Sequence, residues 1–231
     1  MISRIVKSIF AIIASNLLVV AMLIVARTFV QARYIASTAM QPTLMANDRI
    51  AIESVSRFKG TLVERGAIVC FYPPPIENDG KDLSPDLPCV LGRLTGLPFL
   101  PYEAAFIKRI IGLPGDRIRI EDGVGVYVND KLLAEPYASE LPQYNLAAMG
   151  DIGGRSSSGK VMHPYPDNTQ PIVVPKGTIF VLGDDRNSSE DSHCWGFLNE
   201  DRIIGRAWLM YAPIWAYMHA PYWVRPTADQ H

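Results

Sequence analysis

Cysteine is scarce in this chain and its charges nearly cancel, and each shortage removes a class of function. Three cysteines, Cys70, Cys89 and Cys194, stand among 231 residues with no CxxC spacing. They supply neither a zinc-ribbon set nor a dense disulfide framework. A Cys70–Cys89 bridge, a Cys89–Cys194 bridge and three unpaired thiols all stay open. Lys and Arg number 22 against 23 Asp and Glu, a formal net charge of −1, and charged residues make up 19%. Without a basic excess there is no electrostatic footprint for nucleic acid. Internal repeats, glycine-rich phosphate loops and metal-ligand spacings are missing, so neither a cofactor nor a metal is expected. The four histidines, His163, His193, His219 and His231, are placed so that none fills the base position of a Ser-His-Asp triad convincingly.

One long apolar run is present. Ile9–Ala26 is interrupted only by Ser15 and Asn16, and as a helix it would reach about 27 Å, close to the hydrocarbon thickness of a bilayer. It is longer than the core of a cleavable signal, and no small-x-small site closes it. An uncleaved transmembrane anchor over 9–30 is therefore expected. Arg4 and Lys7 precede it, which favours a cytoplasmic N-terminus over 1–8, although Arg27 and Arg33 weaken the bias. A second apolar stretch, Ala207–Trp223, is broken by Pro213, His219 and Pro221. It suits core packing or contact with lipid headgroups, not a span.

The remainder carries 18 prolines and 17 glycines over the whole chain and reads as short strands between turns. Strands are predicted at Arg49–Glu53, Ala67–Tyr72, Phe106–Ile111, Arg117–Ile120, Val124–Val128, Lys131–Leu133, Ile172–Val174, Thr178–Leu182 and Ile203–Tyr211. Asp122-Gly123 marks a hairpin between two of them. The spacings leave no room for βαβ crossovers, so a mainly β, antiparallel domain over 31–223 is expected behind the anchor. Two proline- and glycine-rich excursions, 73–101 and 138–170, leave the sheet, and 224–231 forms a tail.

Four blocks hold the candidate chemistry. They are Ser37–Leu44; Arg65–Phe71; Lys108-Arg109-Ile110-Ile111-Gly112-Leu113-Pro114-Gly115-Asp116; and Gly183-Asp184-Asp185-Arg186-Asn187-Ser188-Ser189-Glu190-Asp191-Ser192-His193-Cys194-Trp195-Gly196. Lys108 sits in an apolar strand, between Ala104–Ile107 and Ile110-Ile111. A lysine can act as a base at neutral pH only where desolvation lowers its pKa, and this is such a setting. In order and separation the four blocks, with the anchor, resemble the type I signal peptidases, membrane-bound serine proteases with a Ser/Lys dyad.

That resemblance implies a catalytic domain on the outer face of a bacterial membrane, with no cofactor and no metal. It implies as partners the signal peptides of exported preproteins and membrane lipid, with the chain a monomer. It assigns Lys108 as general base, Ser37 as an oxyanion donor beside the backbone N–H of residue 39, Ser189 as the group orienting the lysine, and Asp191 as support for the local network. Asp184, Arg186 and Trp195 would fix the loop. The nucleophile position falls on Ala39, where the family carries serine. Alanine has no hydroxyl, so an acyl-enzyme cannot form there.

Further departures are Ala36 for a usual proline, Thr38 for a small residue, Ala67 for aspartate, Asp185 for asparagine and His193 for arginine. Two origins for Ala39 fit: a serine exchanged for alanine so that substrate binds uncut, or a natural paralogue that lost its nucleophile. The expected activity is signal-peptide removal by family, with this form inactive. The alternative is a non-catalytic protein that binds signal peptides or a partner.

Overall fold

The computed structural model describes residues 2–56, 60–74, 105–146, 154–155, 161–162, 171–213, 216–218 and 223–225. Beyond Pro74 the first excursion lies outside them, as do most of the second, most of the tail, Cys89, His163, His219 and His231. The chain divides into two units between Gln31 and Ala32.

The first unit holds α1 (Ile2–Phe29), 28 residues with no acidic side chain in its first turn. Its large apolar side chains from Ile9 to Leu23 stand 52–72% exposed. Among the described residues no helix is long and apolar enough to cross a membrane, so the spanning helix expected over 9–30 is not a feature this fold shows. Residue 30 is not helical: Val30 opens a strand, β1 (Val30–Tyr34), whose alternating burial has the period of a sheet edge.

The second unit is antiparallel β, as its turns and short apolar runs predict. Its strands are β2 (Arg49–Glu53), β3 (Ile68–Phe71), β4 (Phe106–Gly112), β5 (Arg117–Glu121), β6 (Gly125–Val128), β7 (Lys131–Leu132), β8 (Gly154–Arg155), β9 (Val161–Met162), β10 (Ile172–Val173), β11 (Thr178–Leu182), β12 (Leu198–Asn199), β13 (Ile203–Ala212) and β14 (Ala216–Tyr217). One short helix, α2 (Ser192–Trp195), precedes β12. The larger sheet runs β1-β2-β13-β3-β4-β11-β12, with β14 added beside β13. The smaller runs β10-β5-β6-β7, and β8 pairs only with β9. Asp122-Gly123 closes the β5–β6 hairpin, in register Ile118↔Val128 and Ile120↔Val126, with Gly123 at φ +67°.

The larger sheet is buried on both faces at its centre, which explains why residues 67–72 read as a continuous apolar run and not as an alternation. All four residues of β3 are buried. Ile68 and Cys70 join Met40, Leu44, Ile50, Ile52 and Met210 on one side. Val69 and Phe71 join Ile110, Ile179 and Val181 on the other. A third cluster, with Ile118, Ile120, Val126, Tyr137 and Phe180, fills the space under the smaller sheet. Cys70 and Cys194 are unbridged and buried.

Candidate active site

Two neighbouring residues of β4 bring charge into this apolar frame. Lys108 is 4% exposed and Arg109 fully buried. Successive strand residues face opposite ways, and each side chain finds its partner in the loop after β11. That strand lies against β4 with Leu182 opposite Arg109.

Arg109 forms a two-point ion pair with Asp184, Nε to Oδ1 at 2.8 Å and a terminal nitrogen to Oδ2 at 2.7 Å. It also donates to the carbonyls of Gly66 and Trp223 and stacks 3.9 Å over the Tyr137 ring. One guanidinium thus ties β4 to the segments of Asp184, Gly66, Trp223 and Tyr137. Arg186 does the same with Glu135, two contacts of 2.7 Å, and donates to the Gly183 carbonyl. Both cations are matched in charge and geometry, as buried ions must be. Asp184 and Arg186 therefore hold the loop, as expected of them.

Lys108 meets a different arrangement. Its Nζ donates to Ser189 Oγ at 2.6 Å, and that hydroxyl donates to Asp191 Oδ2 at 2.6 Å. The Gly183 N–H also donates to Oδ2, at 2.8 Å. On Oδ1, Asp191 accepts from the His193 backbone at 3.2 Å and from His193 Nδ1 at 2.6 Å. The carboxylate also caps the N-terminus of α2. The His193 ring stacks on Tyr144 at 4.3 Å, with its Nε2 3.1 Å from Cys194 Sγ.

The electrostatics follow from this wiring. Burial lowers the pKa of Lys108, and the charges of Asp191, Cys194, Glu190 and Asp184 only partly offset it. Burial also opposes charge on His193, but the Asp191 carboxylate and its hydrogen bond, aided by Cys194, outweigh it and push the imidazole up to about 10. Burial pushes the Asp191 carboxyl up, while the charge and hydrogen bond of His193, then Lys108 and Ser189, pull it down to about 2. At neutral pH the site therefore holds carboxylate and imidazolium as a pair, and the lysine is left without a contacting counter-ion among the described residues.

This pairing makes stability depend on pH. The folded-state pKa of His193 lies above its ordinary 6.5, so its contribution is complete below pH 6.5 and lost as pH rises through about 10. Asp191 is depressed from 3.8, so its contribution is present above that value and lost as pH falls through about 2. The stability advantage of the chain over its His193→Gln variant, from denaturant midpoints in detergent, is expected to be largest near pH 6 and to shrink toward pH 10. A constant advantage across that range would contradict the ion pair.

The segment of Ser37–Leu44 is fixed from beneath. Met40 and Leu44 are buried in the core, and the Ala39 carbonyl accepts from the Asp185 N–H at 3.2 Å. Gly183 makes this approach possible: a Cβ there would lie 2.2 Å from Ser189 Oγ and 2.5 Å from the Ala39 oxygen. Ala39 and Lys108 line one groove of about 360 Å³, with Tyr34–Ser37, Met40, Ala105–Ile107, Ser188 and Glu190. Of the five expected site residues, Lys108, Ser189 and Asp191 form one hydrogen-bonded chain, and Ala39 shares the groove with Lys108. Ser37 also lines the groove, but its Oγ accepts from the Ala39 N–H at 3.1 Å. The two expected oxyanion donors are bonded to each other here, so a substrate carbonyl would have to part them.

Sequence reasoning missed His193 as the counter-ion of Asp191, and Arg109 and Glu135 as the fastenings of the loop. The signal for His193 was its place two residues after Asp191, where a capping carboxylate meets the first turn of a helix.

An antiparallel β domain with a desolvated lysine lining a groove is a framework compatible with a peptidase. Residues 5–212 match the family described as signal peptidase, peptidase S26, and the chain belongs to that family. A probable signal peptidase I-2 from Synechocystis sp. is 38% identical over 189 residues, 81% of this chain and 66% of that protein, so the chain spans just under two thirds of its length. A signal peptidase IB from Staphylococcus aureus is 30% identical over 202 residues, 87% of each chain. The crystal structure of a signal peptidase I from Enterococcus faecalis V583 matches with a TM-score of 0.34 and 25% identity, over 62% of this chain and 95% of that one. The family assignment rests on the sequence matches.

Proposed function

We propose that the groove binds the signal peptides of exported preproteins as extended segments, with Lys108 in the position of the general base and Ala39 in that of the nucleophile. The carrying observation is the buried Lys108 amine, 2.6 Å from Ser189 and facing the same groove as Ala39. Residues 34–37 and 105–107 both line the groove, and a peptide added as a strand beside them would bind through its backbone. Side chains of alanine size would fit between Ile35, Met40 and Ile107. Because residue 39 has no hydroxyl, this form holds the peptide and leaves it uncut.

The proposal includes a setting. The segment 9–26 would anchor the chain in a bacterial membrane with the N-terminus cytoplasmic and the β domain on the outer face. Supporting it are the apolar sequence, broken only by Ser15 and Asn16, the exposed apolar side chains of α1 and the basic residues before it. The chain would act as a monomer. Ala39 also favours a second reading, in which the chain is a natural non-catalytic binder of signal peptides or of a partner protease.

A fluorescent peptide with an Ala-x-Ala junction tests the common core of both readings. Its anisotropy is expected to rise on binding the chain in detergent, and the peptide should be recovered intact. A tryptophan at the −1 position should weaken binding by at least about tenfold, the effect of roughly 1.4 kcal/mol. No binding, or equal binding of both peptides, would contradict the groove assignment.

A further inference from the structure

The groove carries a chemistry that needs no hydroxyl at position 39. The Lys108 amine donates one N–H to Ser189 Oγ, and the proton of that hydroxyl is committed to Asp191. Asp191 is itself engaged by the Gly183 N–H and by His193, whose imidazolium matches its charge. An ammonium at Lys108 would be buried against a neutral hydroxyl, which disfavours it relative to the amine. Asp191, Cys194, Glu190 and Asp184 act in the opposite direction, and burial outweighs them. An uncharged amine that donates to Ser189 keeps its lone pair, and among the described residues no donor is hydrogen-bonded to Nζ. In a serine–lysine pair that lone pair takes the serine proton. Ala39 has no such proton to give.

We propose that Lys108 of this chain is a carbonyl-capturing nucleophile, which forms an imine with aldehydes entering the groove and most readily with an extended peptide ending in a small-residue aldehyde. The nitrogen lone pair attacks the carbonyl carbon. Both amine protons and the carbonyl oxygen leave together as one water, and a C=N bond replaces C=O, with nothing oxidised or reduced. Access runs through the groove, since Lys108 is one of its lining residues although only 4% exposed. The imine depends on the uncharged amine and the opening alone. The preference for a peptide rests on the signal-peptide reading above.

The test uses the full chain in detergent at pH 7, with propanal in one arm and a peptide aldehyde ending in Ala-x-Ala in the other. Cyanoborohydride is present in both, giving hydride to the imine carbon so that a stable secondary amine marks the site. Peptide mapping by mass spectrometry then reads the modified lysines. Burial favours the uncharged, nucleophilic amine at Lys108, so Lys108 is expected to label at least about tenfold faster than the exposed Lys131 and Lys176. The peptide aldehyde should widen that ratio further. Labelling of Lys108 by propanal with no gain from the peptide would uphold the amine chemistry and count against the peptide groove. Labelling of Lys131 and Lys176 with Lys108 untouched in both arms would overturn the inference, while leaving the binding assay free to stand.

Discussion

Restoring a serine at position 39 is expected to raise cleavage of an Ala-x-Ala preprotein from background by roughly 10⁴-fold or more, the scale on which serine hydrolases depend on their nucleophile. Three features of the site favour such a gain. Met40 and Leu44 pin the segment into the core. Gly183 admits the Ala39 carbonyl beside Ser189, and Lys108 faces the same groove with its amine desolvated. The exchange adds a single oxygen to a residue that is 8% exposed, so the fold should tolerate it. Detergent-solubilised chain and Ala39→Ser variant, compared on one preprotein by gel and mass, give the readout. Silence from both, with peptide binding retained, would contradict the base assignment and favour the natural non-catalytic binder.

In that serine-restored protein, Lys108→Met is expected to remove about 10³- to 10⁴-fold of the activity, the upper range for a positioned base. Methionine keeps the length and volume of the buried stem while removing the amine. Replacing a buried ionisable group by an apolar one of similar shape is often neutral for stability. The melting temperature should therefore stay within a few degrees, and the loss will belong to chemistry and not to unfolding. Cleavage that survives the exchange would sink the assignment of Lys108. An equal loss of activity and folding would instead make the lysine a structural residue.

The mainly β architecture was legible because its turns and strands obey local rules. Asp122-Gly123 can supply the positive φ that its hairpin requires, and the apolar runs of β3, β4 and β11 reappear within one residue of their expected ends. Lys108 was legible for a related reason: a lone amine among Phe106, Ile107, Ile110 and Ile111 is costly unless it has a task. The edges were not. β1 begins at Val30, the last residue of the expected anchor, where the alternation of Val30–Tyr34 has the period of a strand. β12 and β14 have two residues each, too few for any period to register.

Long-range polar pairing was also hidden. Arg109 finds Asp184 across 75 positions and Arg186 finds Glu135 across 51, and no spacing rule spans such distances. Sequence placed Ser37 and the N–H of residue 39 as joint donors, whereas the fold bonds one to the other. His193 was set aside as a base, and the structure gives the physical ground: an imidazole held at about 10 by Asp191 has no free lone pair near neutral pH. Its charge instead leaves the lysine less reason to carry one.

The functional reading turns on the downward-shifted pKa of Lys108 in a groove where residue 39 has no hydroxyl for an amine to activate. Titration of the Lys108 side chain by NMR, in a selectively labelled chain in detergent, tests it most directly. The amine is expected to lose its proton well below the ordinary 10.5, and His193→Gln should move that midpoint upward by exposing Lys108 to the unmatched charge of Asp191. A midpoint at or above 10.5 in the unaltered chain would contradict the account, because a lysine that stays charged at neutral pH can neither activate a serine nor capture a carbonyl.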